Sequence, residues 1–157
     1  STAASTAAST AAAVPPANRM ALAFLALGGV LVSMYMLLYK LQVLPGIACG
    51  TGGCEVVQAS RYAMLLGVPV PAWGVLGYGL IMGLALAGVQ PRLAASRKVA
   101  GGLLVLATGA FLFSLYLTAL EMWVIHAWCR WCIGSAVIAT LIFLLALPEI
   151  PRLRGAR

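Results

Sequence analysis

Apolar residues dominate four long segments of the chain, and the charged residues lie between and beyond these segments. The uncharged runs cover residues 20–39, 72–89, 99–120 and 131–148. A helix that crosses the hydrocarbon core of a membrane needs about 20 apolar residues, and roughly 17 are tolerated. No run shows the polar face that a water-exposed helix carries. The pattern therefore predicts an all-α integral membrane protein, a bundle of four transmembrane helices.

Composition supports this prediction, and the positions of the charges orient it. Of the 157 residues, 63% are hydrophobic and 8% are charged, whereas soluble domains carry about 25% charged residues. If the runs alternate in direction, most basic residues share one side: Arg19, Arg92, Arg97, Lys98, Arg152, Arg154 and Arg157. The other side holds Lys40, Arg61 and Arg130. Because basic residues near spans favour the cytoplasm, both termini are predicted inside, and the charge indicates topology rather than nucleic-acid binding.

The two ends of the chain differ from the apolar centre. Residues 1–18 repeat Ser-Thr-Ala-Ala and carry no charge, which is typical of a disordered low-complexity tail or a linker. Residues 19–151 form one predicted membrane domain, and residues 152–157 form a basic cytoplasmic tail. The first apolar run exceeds the roughly 7–15 residues of a signal-peptide core, so it is interpreted as an uncleaved span.

All four cysteines fall on the outer side of this predicted topology. Cys49 and Cys54 follow the first run, and Cys129 and Cys132 directly precede the last. Spacing favours these two pairs among the three possible pairings. Structural disulfides are one interpretation, although closing such short rings contributes only about 2 kcal/mol. A metal site built from all four cysteines is another. Redox chemistry is favoured, because a second nearby thiol can resolve a mixed disulfide.

The surroundings of the two pairs predict different reaction partners. Cys129 and Cys132 stand at a helix start, which stabilises a thiolate. A belt of tryptophans places them at headgroup depth, namely Trp123, Trp128 and Trp131. The glycine-rich loop between Cys49 and Cys54 is expected to be mobile and accessible to a protein in water. Together the pairs suit an electron relay from a water-side thiol protein, through the loop pair, to an acceptor dissolved in the membrane.

The order of the motifs resembles the bacterial form of the vitamin K epoxide reductase family. The pattern C-x4-C-x5-S-R-Y-A begins at Cys49, GVPVPAWGVLGY follows, and C-R-W-C opens the last run. The resemblance covers residues 20–148. It implies a four-helix bundle around a quinone, with a short half-helix in the first outer loop. It further implies that Cys132 adjoins the quinone, that Cys129 is its partner, and that Ser60 on the half-helix faces the site.

One departure from the family pattern bears on the substrate. Members that take vitamin K have a tyrosine four residues after the last cysteine, where this chain has Ala136. The asparagine that such members place before the second helix also has no counterpart in GVPVPAW. These departures argue against vitamin K epoxide chemistry and favour ordinary quinone reduction, with menaquinone or ubiquinone bound near Cys132, Ser60 and Ala136.

The expected function is a thiol:quinone oxidoreductase of the bacterial cytoplasmic membrane that supports disulfide bond formation. Its cysteines would face the periplasm. Its partner would be a separate thioredoxin-fold, DsbA-like protein, since the chain has no such domain. The alternatives are a non-catalytic membrane protein with structural disulfides and a membrane protein that binds a metal through its four cysteines.

The predicted topology can be tested by labelling single cysteines in a variant that lacks the four native ones. Ser96→Cys should react with a membrane-impermeant maleimide only after the membrane is opened, because it lies in the basic loop. Gln42→Cys, on the opposite side, should react in intact cells and serves as the control. Labelling of Ser96→Cys in intact cells would place the native cysteines on the reducing side and contradict the relay.

Overall fold

The computed structural model describes residues 17–50 and 52–155 and is almost entirely helical. Helices α1 to α6 cover, in order, Ala17–Lys40, Gly53–Ala59, Val70–Val89, Arg97–Leu120, Arg130–Ala146 and Glu149–Gly155. Shorter elements are a 3-10 turn at Arg61–Ala63, a π-helical turn at Glu121–Ile125, and strands β1 (Met64–Leu65) and β2 (Val68–Pro69). Of the predicted tail, only Ala17 and Asn18 fall within the described residues, and they begin α1.

Four helices in the described part of the chain are long and apolar enough to cross a membrane. They are α1, α3, α4 together with its π-helical extension, and α5 together with most of α6. The predicted four-span bundle is therefore confirmed. The predicted half-helix is α2, which lies in the loop between the first two spans. Residues 152–155 of the predicted basic tail belong to α6.

The bundle is built around α1, which packs against both α3 and α5, while α4 closes the other side against the same two helices. Its centre contains fully buried aliphatic side chains, including Leu22, Ile81, Leu103 and Ile142. Large apolar side chains also face outwards, such as Phe24, which is 70% exposed. A bundle with apolar residues both inside and outside is what a lipid environment requires.

A small hairpin leads the chain from α2 into α3. Strands β1 and β2 pair antiparallel, with Met64 opposite Pro69. The two residues between the strands, Leu66 and Gly67, both have positive φ angles, as a tight type I′ turn demands. Pro71 lies in the first turn of α3, where a missing backbone N–H costs nothing. The hairpin thus fixes where the second span begins.

A buried ion pair joins the start of α1 to the start of α6, on the side opposite to the cysteines. Arg19 and Glu149 are both fully buried, and their closest nitrogen and oxygen lie 2.8 Å apart. Arg19 also donates to the carbonyl oxygens of Gly88 and Ala94. The sequence predicted Arg19 as a topology signal, but it did not predict this pairing. The pair holds α1, α3 and the end of the last span in register.

Removing one member of this pair should destabilise the bundle. Arg19→Met leaves the Glu149 carboxylate with only Arg152 as a cationic partner, and losing one partner of a buried pair typically costs about 3–5 kcal/mol. The measurement is the free energy of unfolding in mixed detergent micelles. Arg154→Met, at an exposed position, is the control and should change the free energy of unfolding by less than about 0.5 kcal/mol. Equal stability of the two variants would show that the pair is dispensable.

Candidate active site

The last span begins with a thiol that caps its own helix. Cys129 is the N-cap residue of α5, and its Sγ accepts a hydrogen bond from the backbone N–H of Cys132 at 3.3 Å. The hydrogen bond from the Cys132 side chain lowers the pKa of Cys129, and this outweighs the opposing effect of burial. The position at a helix N-terminus, which the sequence predicted, therefore favours a thiolate at Cys129.

The structure brings both cysteine pairs into one buried cluster. Cys49 and Cys54 form a disulfide, as their spacing predicted. Cys129 packs in the same cluster as these two residues, with Cys132 at its edge, and both residues of the last pair are free thiols. Because Cys49 and Cys54 are disulfide-bonded, two of the four thiolates that a four-cysteine metal site needs are absent.

Trp131 at the start of α5 and Tyr35 on α1 form hydrogen bonds with the loop that carries Cys49. The indole Nε1 of Trp131 donates to the carbonyl oxygen of Ala48 at 3.0 Å. The hydroxyl of Tyr35 accepts a hydrogen bond from the backbone N–H of Ala48. The ring centroids of Tyr35 and Trp131 lie 4.9 Å apart. Trp131, which the sequence predicted as a membrane-interface anchor, also holds this loop through its indole N–H. Trp123 and Trp128 remain exposed, as an interface belt requires.

The prediction that the loop pair is accessible to water was wrong for this conformation. Cys49 is 1% exposed and Cys54 is fully buried. Gly50 and Gly52 adopt left-handed backbone angles, with φ of 75° and 74°, so they shape a specific turn. A Cβ atom on Gly53 would lie 2.0 Å from the carbonyl oxygen of Trp128. Glycine is needed there because α2 packs directly on the segment before Cys129.

A cavity of about 430 Å³ opens beside the second thiol. Its walls are mainly apolar and come from α1, α3, α4 and α5, and the end of α2 closes it on the cysteine side. The three residues that the resemblance placed near a quinone all line this cavity, namely Cys132, Ser60 and Ala136. Cavities of this size and character accommodate small organic molecules. Cys129, by contrast, faces the disulfide cluster.

Comparison with known protein families supports the resemblance seen in the motifs. The model described as the vitamin K epoxide reductase family matches residues 20–147. The chain belongs to this family. It is therefore a membrane oxidoreductase whose relatives carry out disulfide and quinone redox chemistry.

Ser60 has a local structural role in this family member. Its hydroxyl donates to the carbonyl oxygen of Val57 at 2.7 Å, at the end of α2. That bond satisfies the hydroxyl hydrogen, while the residue still lines the cavity. The oxygen retains acceptor capacity towards a ligand.

Two polar residues of the cavity wall were missed by the sequence analysis. Gln58 is 4% exposed. Its Oε1 is the one buried side-chain nitrogen or oxygen atom of the described residues that has no hydrogen-bond partner. Glu121 is 3% exposed, and its Oε2 accepts a hydrogen bond from the backbone N–H of Cys129 at 3.1 Å. For Glu121 a signal existed, because an acidic residue at the end of an apolar span is rare and commonly functional.

His126, the one histidine of the chain, is not part of the site. It is exposed, with a φ of 55°, at the end of the π-helical turn. It does not line the cavity. Its position is that of a solvent-exposed loop residue.

The close contact of α2 with Trp128 can be tested at Gly53. Gly53→Ala should destabilise the protein by about 1–3 kcal/mol, because the added methyl overlaps a backbone carbonyl, and it should expose Cys129 to alkylating reagents. Gly46→Ala is the matched control, since a Cβ atom at that position would have no neighbour within 4 Å. Thermal unfolding in detergent and the rate of maleimide labelling are the measurements. Identical labelling of both variants would contradict the close packing of α2 on this segment.

Proposed function

We propose that this protein is a thiol:quinone oxidoreductase that takes electrons from a separate thioredoxin-fold, DsbA-like protein and delivers them to a membrane quinone. One observation carries the proposal: Cys132 lines an apolar cavity, while Cys129 packs against the Cys49–Cys54 disulfide. Each thiol of the last pair thus faces one of the two reaction partners that a relay needs.

The redox states of the four cysteines match one stage of such a relay. The loop pair is oxidised and the last pair is reduced. This combination follows the transfer of electrons from the loop pair and precedes their delivery to the acceptor. The alternative of purely structural disulfides gives no reason for a pair of free thiols, one of which lines a cavity.

Internal transfer requires direct contact between sulfurs, because thiol–disulfide exchange proceeds through a mixed disulfide. Cys129 is the residue placed for that exchange, since it lies in the same buried cluster as Cys49 and Cys54. The first attack on Cys129 releases Cys132, and the second loop cysteine then displaces Cys129, whose lowered pKa makes it a good leaving thiolate in that second step. Either Cys49 or Cys54 acts as the attacking residue.

The cavity suits the headgroup of a quinone, which accepts two electrons and two protons when it is bound there. The unpartnered Oε1 of Gln58 is a hydrogen-bond acceptor, and leaving it unsatisfied costs about 1–3 kcal/mol. The hydroxyl of a quinol would donate to it, so the reduced form of the ligand would satisfy this oxygen. Ala136 presents no hydroxyl to an epoxide, which supports menaquinone or ubiquinone as the substrate.

The same proposal includes a location and an access route. The distribution of basic residues supports a location in the bacterial cytoplasmic membrane, with both termini in the cytoplasm and the cysteines at the periplasmic face. Because the loop disulfide is buried, the partner's thiolate reaches it only after the loop carrying Cys49 lifts away from Trp131. The hydrogen bonds that fasten Ala48 are the contacts that must open.

Two cysteine variants test the division of labour. Cys132→Ser should abolish quinone reduction even with dithiothreitol as the donor, because the thiol facing the cavity is lost, and should accumulate a disulfide between Cys129 and Cys49 or Cys54. Cys49→Ser should abolish oxidation of the protein partner yet keep part of the dithiothreitol-driven reduction. Quinone absorbance and mass spectrometry of non-reduced peptides are the measurements. Loss of both activities in both variants would contradict separate roles for the pairs.

A further inference from the structure

Glu121 occupies an unusual position at the junction between a span and the last cysteine pair. It begins the π-helical turn Glu121–Ile125 that extends α4, and such turns occur frequently at functional sites. The following residues of this turn, Met122, Trp123 and Val124, are exposed. Glu121 alone among these four turns inward, where its side chain is 3% exposed.

The carboxylate contacts both members of the last pair. Its Oε2 accepts a hydrogen bond from the backbone N–H of Cys129 at 3.1 Å, and its side chain interacts with the side chain of Cys132. It also lines the cavity beside Cys132. These two cysteines are the titratable groups that face the Glu121 carboxylate from the start of α5. No charged side chain of the described residues forms an ion pair with this carboxylate.

The other two acidic residues show how unusual this arrangement is. Glu149 is also buried, but it is paired with Arg19 and Arg152. Glu55 is exposed to solvent. A buried carboxylate without a cationic partner is costly, and an amide could accept the Cys129 N–H equally well. Retaining an acid at Glu121 therefore points to a role for its ability to bind and release a proton.

The proposed reaction needs such a group. Forming the Cys129–Cys132 disulfide breaks two S–H bonds and releases two electrons and two protons. Reducing a quinone to a quinol consumes two electrons and two protons. A thiol in an apolar cavity wall cannot lose its proton to bulk water directly, so an acceptor must lie beside Cys132.

We propose that Glu121 carries the proton of the Cys132 thiol to the nearer oxygen of the quinone, an inference that rests on the proposed function. Its carboxylate accepts this proton as the Cys132 sulfur gives up its electrons, and it then passes the proton to the ligand oxygen. The Cys129 sulfur completes the disulfide. The proton from Cys129 leaves to solvent, and the far oxygen takes one from solvent. Glu121 ends unprotonated, and electrons and protons balance.

Three variants test the inference, with dithiothreitol as the electron donor and a soluble quinone as the acceptor. Glu121→Gln keeps an acceptor for the Cys129 N–H but cannot carry a proton. It should reduce kcat by about 100-fold, the lower end of the range for general acid–base catalysis, and leave the KM for quinone nearly unchanged. Glu121→Asp should recover part of the rate. Glu55→Gln, an exposed carboxylate beside Cys54, is the control and should behave as wild type.

The pH dependence separates proton transfer from a structural role. In wild type the rate should fall at low pH, because a protonated Glu121 cannot accept the Cys132 proton. In Glu121→Gln this fall should be replaced by a rate that rises steadily with pH, because the thiol must then ionise unaided. Trapping of the Cys129 mixed disulfide in a Cys132→Ser background should be the same with Glu or Gln at position 121, since that step does not use the carboxylate.

Three outcomes would overturn the inference. The first is a kcat of Glu121→Gln within twofold of wild type. The second is a pH profile of the rate that is unchanged in that variant. The third is an equal loss of kcat in Glu121→Gln and Glu121→Asp, with wild-type pH profiles in both. Loss of the trapped mixed disulfide in Glu121→Gln would assign the residue to packing instead. If wild type itself reduces no quinone, the proposed function fails whatever the variants do, so the two failures are distinguishable.

Discussion

A polar atom inside this bundle must find its partner within the protein, because lipid supplies none. This constraint explains the contacts that hold the spans together. At one end the fully buried Arg19 and Glu149 satisfy each other, and Arg19 also satisfies two carbonyl oxygens of neighbouring segments. In the middle, the hydroxyl of Tyr78 bonds to Ser135. The cysteine end obeys the same rule, because the N–H of Cys129 is satisfied by the carboxylate of Glu121.

The places where this rule is only partly met are those that we assign to chemistry. Gln58 Oε1 is buried and has no hydrogen-bond partner among the described residues. Glu121 is buried and forms no ion pair with a described basic residue. Both line the cavity that also contains Cys132. In an apolar wall such groups are costly unless a ligand or a proton completes them. The hydroxyl of a quinol would donate to Gln58 Oε1, and under our inference Glu121 takes up the proton of Cys132.

Burial also controls which sulfur meets which partner. Cys129 packs among the loop cysteines and has a lowered pKa, whereas Cys132 faces the cavity. The loop disulfide is closed off by α2, by the Trp131 indole and by the turn at Gly50 and Gly52. Under the proposed function this closure has a consequence: the internal transfer happens in a protected cluster, and exchange with the protein partner requires the loop to open.

The sequence by itself determined the four spans, the pairing of Cys49 with Cys54 and the family. These follow from local patterns, namely uninterrupted apolar runs, short cysteine spacing and the order of the motifs. Only the tertiary structure decided that Arg19 pairs with Glu149, that the glycine-rich loop is packed rather than accessible, and that Gln58 and Glu121 share a cavity wall with Cys132. Those features depend on contacts between distant segments and on the direction in which each helix turns its side chains. Neither the helical period nor the composition of one segment specifies them.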